Sequence, residues 1–310
     1  MTLINPPLLT HGGTHEARAF RMMIRDLARG SQGVTEADDL KVRQLATPSA
    51  AVRVLDGSGI VRGATWGQGS YTQYNVGDHT VPIAPTAASP RSDLVCLRVE
   101  DPEYEGTRDP ETDEIGYFHV VSNVAANLTV PPNGMTAIPL ARIDIPANTA
   151  VITDAMIKDV RRIANPRRER KLYTASPPSD QNWPGNAAGS FVAWPPAARW
   201  NITVPGWAAT VRITMTIAGV QVLLGGIWGS SAWKLGTVQG QSVTADTGKT
   251  DGSERIHLIS ADTRSIPTSM RNTVQQLSAL IAMDSDSAGI LQADVATTVI
   301  ADVEFEEGVL

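Results

Sequence analysis

The chain has 310 residues, 42% of them hydrophobic and 19% charged, which is enough for two folded domains and too apolar for a disordered protein. Its net charge of −6 argues against the general attraction to phosphate that nucleic-acid binding uses, and no apolar stretch reaches the length of a membrane span. The single cysteine, Cys96, excludes an internal disulfide; because it lies in an apolar run, we expect a buried thiol.

The first predicted element is a helix that begins near Thr14 and ends at Gly30. Threonine is a common N-cap residue, and glycine commonly ends helices. Phe20, Ile24 and Leu27 recur at the spacing of one helix face, which predicts that this face is buried.

Beyond this helix the apolar residues recur with period two, as is typical of half-buried strands. Residues 51–55 and 60–63 flank a glycine-containing turn and predict a β-hairpin. The apolar run 94–99 predicts a central strand that is covered on both faces. The acidic segment 101–114 does not have the spacing of an EF-hand, so we expect a solvated loop there rather than a calcium site.

A second short helix is predicted over residues 153–163. Thr153 can cap its N-terminus, and Met156 and Val160 can contribute to a buried stripe. The helix would end before Pro166, because proline disfavours helical backbone in the residue that precedes it.

The chain divides by composition into two parts. Residues 161–171 hold six basic residues and one acid, which we interpret as a boundary between domains rather than a nucleic-acid tract. The predicted organisation is an N-terminal domain over residues 1–165, a basic linker containing proline over residues 166–175, and a C-terminal domain over residues 176–310.

The second part has the pattern of an all-β domain. Val211, Ile213, Met215 and Ile217 alternate with polar residues, as in a strand with one buried face. Many short runs of this kind, separated by turn residues, predict a sandwich. The predicted fold class is therefore mainly β, with two short helices in the first domain and an antiparallel, jelly-roll-like β-sandwich in the second.

Three segments of the first part carry a resemblance to a known family. They are an aromatic, asparagine-containing strand at 71–76 (YTQYNV), the Arg-x-Asp-Leu-Val strand at 90–95 (PRSDLV), and an acidic loop at 99–106 (VEDPEYEG). Segment 138–143, the predicted helix at 153–163 that follows it, and the basic segment 166–168 fit the same pattern. The first 170 residues or so resemble the N-terminal domain of minor tail or upper-baseplate proteins of phages that infect actinobacteria.

This resemblance implies a structural protein of the virion tail. The first domain would dock on other tail or baseplate proteins, and the second would face outward for host attachment. We expect a homotrimer, because symmetric closed assembly is usual for such parts. No signal peptide is visible, so we expect synthesis in the host cytoplasm and incorporation into the virion, without membrane insertion.

Two pairs of charged residues are candidates for subunit contacts. Arg18 and Arg25 lie on the predicted first helix, where a solvated face is the alternative. Arg91 and Asp93 lie at i and i+2 of one strand, so they share a face and can pair at a sheet edge or across subunits.

No motif indicates bond chemistry. His11 and His15 have a helical spacing, but two glycines separate them and the helix starts later, so we predict no metal site. The glycine-rich segment 224–229 lacks the ending of a phosphate loop and predicts a tight or bulged strand. The family resemblance implies no catalytic residues, and we expect neither an enzyme nor a cofactor.

Tryptophans are the remaining signal, since six of the seven lie between Trp183 and Trp233. Aromatic rings can stack on sugars, although they also concentrate in cores and interfaces. Trp183 and Trp233 lie among polar turn residues and are the predicted contacts to a host cell-wall glycan. The alternative functions are a stand-alone carbohydrate-binding module and a cell-wall polysaccharide hydrolase.

Overall fold

The computed structural model describes residues 4, 6–183, 189–248 and 252–309. The chain forms two compact units, Met1–Pro166 with Val309–Leu310, and Arg167–Gly308. The division falls next to residue 165, the predicted end of the first domain. All ladders between named strands are antiparallel within the described residues, so the predicted mainly-β fold class is confirmed.

The first unit contains one α-helix, α1 (Ala17–Leu27), and three small sheets, β1-β4-β5, β2-β3-β6 and β10-β9-β7-β8. Its strands are β1 Gly33–Val34, β2 Val42–Ser49, β3 Ala51–Val54, β4 Gly57–Arg62, β5 Ser70–Asn75, β6 His79–Pro82, β7 Arg91–Val99, β8 Gly116–Val124, β9 Ala137–Ile145 and β10 Ile157–Asp159.

The strand β7 is central and covered on both faces, as its apolar run predicts. Val95 and Leu97 pack into the main core of the unit, while Leu94 and Cys96 pack into a smaller cluster on the opposite face. Cys96 is fully buried, which confirms the expected buried thiol. Burial raises the pKa of this thiol to about 12, so it stays protonated at neutral pH.

The predicted buried stripe of α1 is wrong. Phe20 is 42% exposed and Leu27 is 71% exposed, whereas the small residue Ala19 is buried. The helix turns its arginine face inward instead, and Arg21 lies between the rings of Tyr71 and Tyr104, 5.5 Å from each ring centre. Partners elsewhere in the sequence therefore outweigh the apolar spacing of the helix.

The predicted second helix is also wrong. Only a single 3-10 turn forms, at Asp154–Met156, and β10 follows at once, with Ile157 opposite Ile143 of β9. The β-branched residues in this segment favour extended backbone. A long-range clamp holds the turn, because Gln44 and Asp154 each bond the backbone N–H of the other at 2.9 and 2.8 Å.

The predicted hairpin contains the right strands with the wrong partners. β3 pairs with β2 and β6, whereas β4 pairs with β1 and β5, so the turn between β3 and β4 passes from one sheet to another. Gly57 follows this turn with a φ of +140°, and a Cβ atom there would lie 2.6 Å from the backbone of Asp39.

Among the described residues, the second unit contains twelve strands. They are β11 Arg168–Ala175, β12 Gln181–Asn182, β13 Val192–Ala193, β14 Arg199–Thr203, β15 Ala208–Leu223, β16 Trp228–Leu235, β17 Val238–Gln239, β18 Val243–Asp246, β19 Ser253–Ser265, β20 Val274–Met283, β21 Ile290–Ala293 and β22 Thr298–Glu307.

Eight of these strands form two facing sheets with jelly-roll connectivity. One sheet has the order β11-β22-β15-β19 and the other β14-β20-β16-β18. When these eight strands are numbered along the chain, the first sheet has the order 1-8-3-6 and the second sheet has the order 2-7-4-5. This arrangement defines a jelly roll. The short strands β12, β13, β17 and β21 extend the sheets at their margins.

One continuous core lies between the two sheets. Val211, Ile213, Met215 and Ile217 of β15 are all buried in it, as their alternation predicts. The facing sheet contributes Trp233 and residues of β20. Because β15 buries alternate residues along most of its length, period two in the sequence determines which of its side chains point inward.

The segment 166–175, predicted as a linker, is mostly the edge strand β11. It pairs with β22 over eight successive residues, and its basic side chains meet acids across the ladder. Arg170 pairs with Asp302, and Arg168 donates from Nε to a Glu306 carboxylate oxygen 3.1 Å away. The segment is therefore a paired strand of the sandwich, and the linker prediction is wrong.

Candidate functional site

The arginines of α1 hold the start of the acidic loop. Arg21 donates to Glu103 at 2.7 Å and to the backbone oxygen of Gln68 at 2.9 Å, and Arg18 pairs with the same Glu103 carboxylate. These contacts lower the pKa of Glu103 to about 2, with the bond from Arg18 as the largest cause. The first part of the loop is therefore fixed to the helix, while most residues of segment 101–114 stay exposed, as predicted for a solvated loop.

The same loop is fixed at a second point by Glu100. Its carboxylate accepts hydrogen bonds from the Tyr117 hydroxyl at 2.7 Å and from Nε of Arg108 at 3.0 Å. The bond from Tyr117 is the main cause that lowers the pKa of Glu100. Arg108 also stacks on the Tyr117 ring, 4.3 Å from its centre. These ion pairs and hydrogen bonds hold the loop in place, and they stabilise the charged form of the carboxylate.

Arg91 and Asp93 pair within the unit. Two guanidinium nitrogens of Arg91 bond the two carboxylate oxygens at 2.7 and 2.8 Å, and the Asp93 side chain is fully buried. Arg91 also donates to the backbone oxygen of Ala84 at 2.5 Å, and Asp93 accepts from the Asn123 N–H at 2.9 Å. The predicted i, i+2 pair exists, but a buried Asp93 is not available to another subunit, so an interface role for it is wrong.

The other two interface candidates, Arg18 and Arg25, lie on the same face of α1 as Arg21 and stay partly exposed. Arg18 keeps about two-fifths of its side chain exposed while it pairs with Glu103. Arg25 lies 6.0 Å from the ring centre of Trp66, itself an exposed residue. Their role in subunit contacts stays a prediction.

The tryptophans of the second unit are mainly core residues. Trp233 is fully buried in the sandwich, so its prediction as a glycan contact is wrong. Trp183 is half-buried and packs edge-on against Trp194, with 6.4 Å between ring centres. Trp228 is the exposed member of the group, at 52%, and sequence reasoning did not select it.

Trp228 lies in an open groove of about 590 Å³ at one end of the sandwich. The lining contains three carboxylates and apolar or small residues from three chain segments, namely Gly226, Ile227, Asp246, Thr247, Asp284, Asp286 and Ala288. In the ladder between β16 and β18, Trp228 stands directly opposite Asp246. On its other side, the Trp228 carbonyl accepts a hydrogen bond from the Asp284 N–H at 2.8 Å.

The backbone around this tryptophan is held on both flanks. The Trp228 N–H donates to Ser287 Oγ at 2.8 Å, and that hydroxyl donates back to the Trp228 carbonyl at 2.7 Å. On the opposite flank, Ile227 and Thr247 exchange two bonds of 3.0 Å. A Cβ atom on Gly226 would lie 2.6 Å from the Thr247 oxygen, so glycine allows the two loops to approach this closely.

Within the described residues, the three carboxylates of the groove carry no cationic partner. No Lys, Arg or His forms an ion pair with Asp246, Asp284 or Asp286 within the described residues. Asp284 accepts from Ser285 Oγ at 3.2 Å and from the Asp286 N–H at 3.2 Å, which are local contacts of one turn. The groove is therefore an aromatic surface in a field of negative charge.

Residues 4–309, apart from the three gaps between the described ranges, contain no group of three or more His, Cys, Asp or Glu side chains arranged to hold a metal ion. The one α-helix of the described chain is also far too short to cross a membrane.

Comparison with known proteins gives no family: no family model and no curated protein matches the chain. Among solved structures, it is similar to VP2 of infectious bursal disease virus in a subviral particle, with 10% identity, 93% of this chain and 82% of that chain covered, and a TM-score of 0.28. The T13 viral particle of the same virus gives 13% identity, coverages of 94% and 84%, and a TM-score of 0.27. TM-scores this low support no conclusion about topology or function, and both follow here from the geometry of the chain itself.

Proposed function

We propose that this chain is a structural protein of a phage tail. It is a minor tail or baseplate protein that assembles with other tail proteins and presents its jelly-roll unit for attachment to the host. The main support for the proposal comes from the three segments that resemble the family, 71–76, 90–95 and 99–106. They contain the residues whose hydrogen bonds and ion pairs hold parts of the first unit together.

Asn75 illustrates this use in the first of those segments. Its side-chain amide donates to the backbone oxygens of Leu55 at 2.9 Å and Gly77 at 2.8 Å, and so ties two turns to the end of β5. Arg91 and Asp93 do the same for the segment before β7, and Glu103 for the helix. Residues that define the shape of a unit are what a docking domain requires, because its partners recognise shape and surface.

The second unit suits presentation to a partner. Jelly rolls occur in viral structural proteins and in lectins. A fold alone does not assign a function, so the argument rests on the exposed loops of this unit rather than on its class.

The proposal includes assembly into a homotrimer. Closed symmetry gives several copies of one weak attachment surface, and simultaneous binding of linked copies raises the overall affinity by a factor of about 10² to 10⁴. Light scattering of the purified chain would then give three times the 33.0 kDa of one chain. A mass of one chain at micromolar concentration contradicts the trimer.

Immunogold labelling of particles of the phage that encodes this chain tests the proposal. With an antibody against the full chain, we expect gold at the tail tip and none on the capsid. Particles that lack the chain should assemble heads and fail to adsorb. Label on the capsid alone, or the protein found only in the soluble lysate, contradicts the tail assignment.

The proposed function involves no bond chemistry, and the hydrolase alternative can be tested directly. Full-length protein incubated with purified host cell walls should release no reducing ends and no soluble peptides above the level of a boiled control. Release that rises with protein concentration and time would replace the structural proposal with an enzymatic one.

A further inference from the structure

We propose that the Trp228 groove binds a sugar polymer that carries free ammonium groups, such as a polymer of unacetylated amino sugar. The inference deepens the proposed attachment role and rests on it for its biological meaning. The groove itself is defined by Trp228, Asp246, Asp284 and Asp286.

The exposed ring of Trp228 supplies an apolar face for a sugar. Large aromatic side chains that remain half-exposed in a folded domain are typical of binding surfaces, because they offer contact area at a low cost in conformational entropy. The same face attracts an ammonium group, since the ring quadrupole is negative above its plane. One residue can therefore contact both parts of an amino sugar.

The carboxylates select the charge of the ligand. Asp246 flanks the tryptophan on one side, and Asp284 and Asp286 lie on the other, with no ion-pair partner among the described residues. An ammonium group between them donates charge-assisted hydrogen bonds to the carboxylates, whereas an anionic polymer is repelled. Since the described carboxylates are not grouped to hold a metal ion, an organic cation is the complementary ligand.

The site is held in shape before any ligand binds. The backbone N–H of Trp228 donates to Ser287 and that of its neighbour Ile227 donates to Thr247, both at 3.0 Å or less. A preformed site loses little conformational entropy on binding. Its volume of about 590 Å³ lies within the range of small-ligand sites, and its open form admits a chain that continues past the groove.

The position of the groove within the second unit also favours an external ligand. The chain enters and leaves the unit beside Ala208, where Glu307 pairs with β15 and bonds the Arg167 carbonyl. The groove lies beyond Leu223, at the other end of the same strand. A strand of 16 residues separates the two ends by about 50 Å.

The test is calorimetric titration of the full-length protein with a glucosamine pentamer, at a pH where its amines are protonated. The N-acetylglucosamine pentamer is the matched neutral probe. We expect saturable binding of the amine form and at least about ten-fold weaker binding of the acetylated form, the effect of one lost ammonium contact.

Two tryptophan variants locate the site. Trp228→Ala should weaken binding by about ten-fold or more, and Trp228→Phe should restore part of it, because an aromatic face returns. Trp66→Ala is the control, since Trp66 is exposed to 70% but lies in the first unit, and it should bind as the unaltered chain does. Circular dichroism establishes that each variant is folded.

The aspartates test the charge argument. Asp246→Asn, Asp284→Asn and Asp286→Asn keep the shape of the site, and each should weaken binding of the amine form by about three-fold or more while leaving the acetylated form unchanged. Binding should also weaken as salt is added.

Three results overturn the inference: no saturable binding of the glucosamine pentamer, equal binding by the Trp228→Ala variant, or equal affinity for the two sugar forms. Trilysine that binds as tightly as the glucosamine pentamer would replace the sugar with a cationic peptide. All of these leave the particle-labelling result untouched, so a failure here is distinct from a failure of the tail assignment.

Discussion

The two units of this chain reach stability by different means. In the first, three small sheets share one apolar core, and arginine-to-carboxylate contacts hold the helix and the loops in place, as at Arg21 and Arg91. In the second, two large sheets share one core, and the ladder between β15 and β19 runs for thirteen pairs. The first unit adds particular polar pairs to its core, and the second depends mainly on continuous apolar burial.

This difference indicates in which unit surface residues can vary, and the function with them, without loss of the fold. A sandwich stabilised by its core tolerates variation in the loops at its ends, because few core contacts depend on them. A unit held by charge pairs has fewer free surface positions, since its polar residues are already engaged. The attachment surface we propose lies accordingly on the sandwich, at Trp228.

The largest expected effect separates the two kinds of tryptophan in the second unit. Trp233→Ala removes a fully buried ring from the core and should lower the free energy of unfolding by about 3–5 kcal/mol. Trp228→Ala, at an exposed position, should change it by less than about 1 kcal/mol. Urea unfolding measures both, and equal losses would contradict the assignment of core and surface.

A smaller effect tests the polar fasteners of the first unit. Asp93→Ala removes both bonds to Arg91 and the bond to the Asn123 N–H, and should lower the free energy of unfolding by about 2–3 kcal/mol. The transition of the second unit should not move. A variant as stable as the unaltered chain would show that this buried pair does not fasten the loop before β7.

Cys96 provides a test of the covered strand. Cys96→Ser places a hydroxyl among apolar neighbours and should lower the free energy of unfolding by about 1–2 kcal/mol. Cys96→Ala is the matched control and should cost less, since it adds no polar group that needs a partner. If serine is tolerated better than alanine, the site is wetter than the fold implies.

The smallest effect is the pH dependence of the helix clamp. The pKa of Glu103 falls from its usual 4.5 to about 2 in the folded chain, so its stabilising contribution is present above about pH 4.5 and is lost as the pH falls towards 2. For an exposed ion pair we expect about 0.5–1 kcal/mol. Glu103→Gln should flatten this part of the stability profile; an unchanged profile would assign the acid sensitivity to other carboxylates.

The sequence was most informative where one periodicity persisted over a long element. The alternation Val211 to Ile217 predicted the inward face of β15, and the apolar run around Cys96 predicted a strand covered on both sides. Both follow from the geometry of a single strand, which a linear pattern contains in full.

Prediction failed where distant partners decided the outcome. The inward face of α1 depends on Tyr71, Tyr104 and Glu103, which lie 44 residues or more beyond its last residue. Asp154 and Gln44 form a clamp across 110 positions, which replaces a helix by a turn and a strand. Local propensity is a weak effect beside such contacts.

The candidate site was missed for a similar reason. Trp183 and Trp233 stand among polar and glycine residues in the sequence, as does Trp228, so local composition does not distinguish the three. The position along the strand decides which of them is exposed. Trp228 and Trp233 lie five residues apart on one strand, so their side chains point to opposite faces of the sheet. The glycine-rich turn before Trp228 is the one sequence feature that could mark this site, but its composition alone indicates only a tight or bulged strand.

Cryo-electron microscopy of the intact phage tail tests the central claim most directly. The account predicts density for this chain at the tail tip, in contact with other tail proteins through its first unit, with the Trp228 end of the sandwich facing solvent. Density for the chain elsewhere in the particle, or a Trp228 groove buried against another tail protein, would contradict it.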